Sequence, residues 1–175
     1  MRRAEFPPPR SVAASFQRNA TMTSEAQLIA QLAERGHTLA LAESCTGGLL
    51  AARVTFVPGA SAVFRGGVVA YHNEAKRDLL DVPAATLAAH GAVSAETALA
   101  MAQGARRRLQ TTLAASVTGI AGPDGGTAAK PIGLVFLAVA GPRGERAERC
   151  QFAGDRDAIR AQACDAMLRM LLSEV

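Results

Sequence analysis

The chain has no tryptophan and one tyrosine, and aromatic residues make up only 4% of its 175 positions. A core this poor in rings must be filled by aliphatic side chains, and 38 alanines point to closely spaced helices. Three cysteines, Cys45, Cys150 and Cys164, are too scattered for a disulfide framework or a C-x-x-C metal knuckle, which fits a reducing, cytoplasmic setting. No apolar run approaches the roughly 20 residues that span a bilayer, so no membrane partner is expected. His37, His72 and His90 lack metal-ligand spacing, and neither metal nor cofactor is expected. The sequence also lacks a G-x-S-x-G elbow, H-E-x-x-H, S-x-x-K, a Walker loop and G-x-G-x-x-G, which removes several familiar hydrolase and nucleotide-binding chemistries.

The net charge of +4 points at first to a polyanion. Residues 1–22, however, hold four arginines against Glu5, and the remaining 153 residues carry 15 basic and 14 acidic groups. A body so nearly neutral lacks the basic face of a nucleic-acid binder. Residues 1–22, with Pro7-Pro8-Pro9 and no apolar period, read as a disordered tail or as sequence ahead of a start at Met22. Residues 23–175 read as one domain.

From Ser24 the pattern is orderly. Ser24-Glu25-Ala26-Gln27 matches a capping box, Leu28, Ile29, Leu32 and Ala33 form a helical stripe, and Gly36 sits at the C-cap. Thr38 to Ala42 is a buried strand, followed by a helix from Leu49 to about Phe56. Val63 to Tyr71 is a second strand, Asn73 caps a helix through Leu80, and a short helix follows Pro83. Ser94 caps a longer helix that ends at Arg106-Arg107-Arg108, cations suited to the negative end of its dipole. Leu113 to Val117 is a third strand, and 132–140 with 147–152 form a hairpin around Gly141-Pro142-Arg143-Gly144. A last helix runs from Asp155 to Leu172. Strands alternate with helices early and pair antiparallel late, which predicts an α/β fold: a mixed sheet in a three-layer α/β/α domain.

Ligands collect at the carboxyl ends of strands in such layers. There the sequence places Glu43-Ser44-Cys45-Thr46-Gly47-Gly48, a nucleophile next to glycines that let a ligand approach the N–H groups of the following helix. A Ser/Thr N-cap with glycines for close packing reads the same segment equally well. Of 19 basic residues 17 are arginine; Lys76 is therefore a rare group able to lose its proton, five residues from the only tyrosine, Tyr71. Thr118 to Gly126 holds four glycines in nine residues and offers either an anion nest or a plain turn. Arg156, in the first turn of the last helix, faces the wrong end of the dipole. That placement hints at an anionic ligand or at pairing with Asp155 or Asp157.

In series, Ala42-Glu43-Ser44-Cys45-Thr46-Gly47-Gly48, Tyr71-His72-Asn73-Glu74-Ala75-Lys76, His90-Gly91-Ala92-Val93-Ser94, Thr118 to Gly126, Lys130-Pro131-Ile132-Gly133 and Gly154-Asp155-Arg156 resemble the CinA C-terminal-domain family of nicotinamide-nucleotide amidohydrolases. The resemblance implies hydrolysis of nicotinamide mononucleotide to nicotinate mononucleotide and ammonia, with Ser44 as nucleophile, Lys76 as base and Tyr71 beside them. It implies Thr118 and Arg156 as substrate-holding residues. Thr46, Gly47, Gly48 and Gly119, on the loops beside these residues, are expected to join the substrate site, and N–H groups from Cys45 to Gly48 to receive the oxyanion. The expected partner is a small nucleotide, with room left for a homodimer. Two other readings stay open: a pyridine-nucleotide-binding module without turnover, and a hydrolase using Cys45 with His72 as base.

Overall fold

The computed structural model describes residues 22–175; apart from Met22, the expectation for the tail falls on residues outside that range. Helix α1 (Ser24–Glu34) leads into β1 (Leu39–Glu43), α2 (Leu49–Thr55), a 3₁₀ turn (Ala60–Ala62) and β2 (Phe64–Val69). Then follow α3 (Asn73–Leu80), α4 (Ala84–His90), α5 (Ala95–Leu109), β3 (Leu113–Gly119), β4 (Leu134–Gly141), β5 (Gly144–Gln151) and α6 (Arg156–Leu172). The sheet order is β2-β1-β3-β4-β5, with β1 parallel to both neighbours and β3-β4-β5 antiparallel.

The alternation of strand side chains sorts the layers. Leu39 and Leu41 of β1, with Ala115 and Val117 of β3, pack with α1, α2 and α6 in the larger core cluster. Ala40, Ala42 and Ala114 point the other way, toward Leu80, Met101 and Ala105 of α3 and α5. The α/β/α expectation holds, and alanine is what lets α5 lie close over β1, β3 and β4. Closeness is tightest at Gly104 of α5, where a Cβ would stand 1.9 Å from the Leu80 carbonyl oxygen that ends α3.

Two caps differ from the sequence expectation by one residue. Thr23, not Ser24, caps α1, its Oγ1 accepting from the Ala26 N–H at 3.3 Å. His72, not Asn73, caps α3, its Nδ1 accepting from the Glu74 N–H at 3.4 Å. In each case the preceding residue is extended and carries its own acceptor, so the helix starts one residue earlier than expected. Ser94 and Asp155 cap α5 and α6 as expected.

Candidate active site

Residue parity along β1 continues into the loop that follows it. Glu43 turns toward α2, Ser44 toward α3, and Cys45 back into the core cluster beneath α6. Ser44 is held in place by its own N–H, which donates to the Val117 carbonyl of β3 at 2.9 Å.

Lys76 reaches Ser44 from the first turns of α3. It is only 1% exposed, and its Nζ lies 3.0 Å from Ser44 Oγ, 2.9 Å from the Ala70 carbonyl and 3.3 Å from the Tyr71 carbonyl. Burial, with no carboxylate beside it, holds this ammonium below the usual lysine value of 10.5, and nearby Cys45 acts weakly the other way. No arginine could occupy this place as a free base.

Glu43 was not singled out from the sequence, and it reorganises the loop. Its buried carboxylate accepts from the N–H groups of Gly48 at 2.9 Å, Leu50 at 3.1 Å and Ala51 at 2.8 Å. The positive end of α2 is therefore occupied by the chain's own anion. The Gly47 N–H is also engaged, donating to the Ser44 carbonyl at 3.0 Å. Of the N–H groups from Cys45 to Gly48, the expected oxyanion donors, only those of Cys45 and Thr46 have no acceptor among the described residues. Gly47 and Gly48, with φ of 61° and 95°, turn the chain over Glu43 and do not present free N–H groups to a ligand. The usable signal was a glutamate at a strand end, a few residues ahead of a helix whose first residues carry no acidic cap.

The other candidates sit around this centre in varied roles. Tyr71 is 59% exposed; its carbonyl belongs to the Lys76 cluster, while its phenol lies 2.9 Å from Arg156 Nη2. Arg156 also donates from Nη1 to the Gly122 carbonyl at 2.7 Å. It thus ties α6 to the glycine-rich loop and to Tyr71, and it pairs with neither Asp155 nor Asp157. Thr118 is buried, its hydroxyl donating to the Ala92 carbonyl at 2.8 Å. Gly119 and Gly122 are glycines because a Cβ would meet Leu134 O at 2.7 Å and Ile132 Cγ2 at 2.9 Å, which favours the turn over the nest as their reason. Thr46 is fully buried, with a hydroxyl that has no partner among the described residues. Its carbonyl accepts from Arg160 Nη2 at 2.9 Å, and Arg160, one helical turn beyond Arg156, was also missed from sequence.

The Cys45–His72 alternative does not assemble. Burial pushes the Cys45 thiol up to about 11 despite the nearby Lys76, which disfavours the nucleophilic thiolate. His72 stands exposed at the end of α3 with its Nδ1 on a backbone N–H. Among the described residues no cluster of His, Cys, Asp and Glu could hold a metal ion, and no helix is long and apolar enough to cross a membrane.

A family model, the CinA C-terminal domain, matches residues 21–175. A CinA-like protein of Geobacter sp. (strain M21) is 58% identical over 142 residues, which cover 81% of this chain and 34% of that protein. One from Anaeromyxobacter dehalogenans (strain 2CP-C) is 55% identical over 144 residues, 82% of this chain and 35% of that protein. The chain spans about a third of the length of the curated relatives it matches. Among solved structures, the competence/damage inducible protein CihA from Agrobacterium tumefaciens superposes with a TM-score of 0.84 at 43% identity, over 86% of this chain and 92% of that one. A CinA superfamily protein from Enterobacter cloacae gives 0.83 at 28% identity, over 94% and 99%.

Proposed function

The chain belongs to the CinA C-terminal domain family, and from that premise we propose that it hydrolyses the carboxamide of nicotinamide mononucleotide to nicotinate mononucleotide and ammonia. The observation that carries the reading is the buried contact of Lys76 Nζ with Ser44 Oγ at 3.0 Å.

The amine's surroundings support its role as a base. Carbonyls only accept, so in a neutral amine the two N–H bonds go to Ala70 and Tyr71, and the one lone pair is left for the Ser44 hydroxyl. Burial keeps the neutral form accessible, and the substrate's pyridinium adds a second cation that opposes protonation of Lys76.

The reaction then runs in two halves. Ser44 Oγ attacks the carboxamide carbon as its proton passes to Lys76, and the carbonyl oxygen takes up negative charge. The N–H of Cys45, the residue after the nucleophile, and that of Thr46 receive this charge. Lys76 returns the proton to the amide nitrogen, the C–N bond breaks, and ammonia leaves an ester on Ser44. Water, deprotonated by Lys76, attacks that ester, and the carboxylate product departs with Ser44 restored. Arg156, bonded to the Gly122 carbonyl and the Tyr71 phenol, offers a cation for the phosphate of the nucleotide.

The test is ammonia release from nicotinamide mononucleotide by the purified chain. Ser44→Ala should lower kcat by at least about 10³-fold, the scale of losing a covalent nucleophile. Cys45→Ala keeps the backbone N–H and should keep turnover. Loss in Cys45→Ala with retention in Ser44→Ala transfers the nucleophile to the thiol, and a wild-type chain that binds the nucleotide without releasing ammonia is a binding module.

A further inference from the structure

The free N–H of Cys45 is the end of a hydrogen-bonded chain that begins at a charge. Arg160 Nη2 donates to the Thr46 carbonyl at 2.9 Å. That carbonyl shares a peptide group with the Gly47 N–H, which donates to the Ser44 carbonyl at 3.0 Å. The Ser44 carbonyl in turn shares a peptide group with the Cys45 N–H. Two peptide groups therefore stand in series between the guanidinium and the proposed oxyanion donor. Each bond in such a series polarises the next, and a cation at the accepting end draws electron density away from the terminal N–H.

Arg160 is placed to do this. Its only carboxylate contact among the described residues is Nη1 to Asp157 at 3.4 Å, and Asp157 is largely solvated. Its Nε is buried with no partner among the described residues. The Thr46 carbonyl also accepts from the Leu49 N–H at 3.2 Å, so Arg160 supplies the second bond to the 46–47 peptide and the one that carries charge. The Glu43 carboxylate holds the neighbouring 47–48 peptide through the Gly48 N–H, and Arg160 is the side chain that meets the 46–47 peptide itself.

We propose that Arg160 is a positioning residue that aims and polarises the Cys45 N–H through the 46–47 and 44–45 peptide groups, so that the oxyanion is stabilised at a distance from any side chain. The proposal rests on the reading of Ser44 as nucleophile, and it concerns a residue to which that reading gives no task.

Two measurements on the full chain test it separately from that reading. In kinetics with nicotinamide mononucleotide, Arg160→Ala should lower kcat by about 10–100-fold with KM within about twofold, because the effect lies in the transition state. Arg160→Lys, which keeps a charged donor, should recover most of the loss, and Arg160→Gln, which keeps a neutral donor, should recover less. In selectively ¹⁵N-cysteine-labelled protein only three backbone amides give signals, and Cys45→Ala identifies its own. The Cys45 amide proton should shift upfield in Arg160→Ala, less in Arg160→Lys, while that of Cys150 stays in place. If Arg160→Ala fails to fold, the Lys and Gln variants carry the comparison. An unmoved Cys45 resonance, or an unchanged kcat in a folded variant, overturns the proposal, and so does a rise in KM alone, which makes Arg160 a ligand contact. A wild-type chain without turnover sinks the amidase reading and leaves the Cys45 resonance to decide the relay.

Discussion

Removing the charge of Glu43 while keeping its shape asks how much of the site is built by one carboxylate. In Glu43→Gln the side chain retains one carbonyl oxygen but must turn an NH₂ group toward an N–H it formerly accepted. Three bonds to the buried carboxylate, of 2.8, 2.9 and 3.1 Å, are affected. Bonds to a charged group contribute roughly 1.5–3 kcal/mol and neutral ones roughly 0.5–1.5, and a donor left unsatisfied costs about 1–3 kcal/mol. The gross loss is about 3–6 kcal/mol; relief of a buried charge offsets part of it, leaving a net destabilisation of about 2–4 kcal/mol. At about 2–4 °C per kcal/mol for a chain of this size, Tm should fall by roughly 5–15 °C. Urea unfolding at neutral pH gives the free energy and calorimetry the Tm. Because the same bonds seat the loop behind Ser44, turnover should fall too. A loss below about 0.5 kcal/mol, or a gain, would refute the reasoning and mean that the loop keeps its turn without the carboxylate.

Lys76→Arg should cut kcat by roughly 10²–10⁴, since a guanidinium keeps the charge but cannot act as the base; near-native kcat in it would rule out the Ser44–Lys76 pair. Lys76 also carries a pH signature. Its native pKa lies below the ordinary 10.5, so the unfolded chain binds this proton more readily, and unfolding free energy should rise with pH between that lowered value and 10.5. Lys76→Met should lose that rise, seen as a stability difference between wild type and variant that changes with pH below 10.5. Gly104→Ala should destabilise by about 1–3 kcal/mol despite the better helix propensity of alanine, because its Cβ would overlap Leu80 O; urea melts showing stabilisation would contradict the close α3–α5 packing.

The elements of the fold were legible because this sequence keeps its punctuation local. Ser94, Asp155, Gly36 and the Gly141–Gly144 turn mark ends through their own side chains or lack of them, and the strand runs are short and apolar. Ser44 and Lys76 were legible for a related reason: each is chemically distinct in its segment, one at the end of a buried strand, the other a lysine in an arginine-rich chain. The errors have a common origin as well. Glu43 and Arg160 act on main-chain groups, accepting from the N–H groups of α2 and donating to the carbonyl of Thr46. A side-chain pattern shows that a carboxylate or a guanidinium is present, but which peptide it meets depends on how α2 and α6 are stacked over the sheet. Tyr71 shows the same limit, since its carbonyl joins Lys76 while its phenol turns to Arg156 across the fold.

That the Gly47 and Gly48 N–H groups are engaged within the chain has a physical lesson of its own. A helix N-terminus following a nucleophile invites the inference that the dipole stabilises the transition state. Here that end already holds a buried carboxylate on three N–H groups, and a second anion on the same donors would meet like-charge repulsion at short range in a low dielectric. In the proposed reaction the developing charge would therefore go to the two N–H groups upstream, at Cys45 and Thr46, which have no acceptor among the described residues. These are outside the helix, and their orientation comes from the turn. Glu43 fixes the turn from the α2 side, and Arg160 fixes it from α6. The two charges have opposite signs and would act oppositely on the proposed oxyanion, the carboxylate raising its energy and the guanidinium lowering it. A site arranged this way depends on geometry held by both, and removing either one should disturb the same pair of N–H groups from opposite sides.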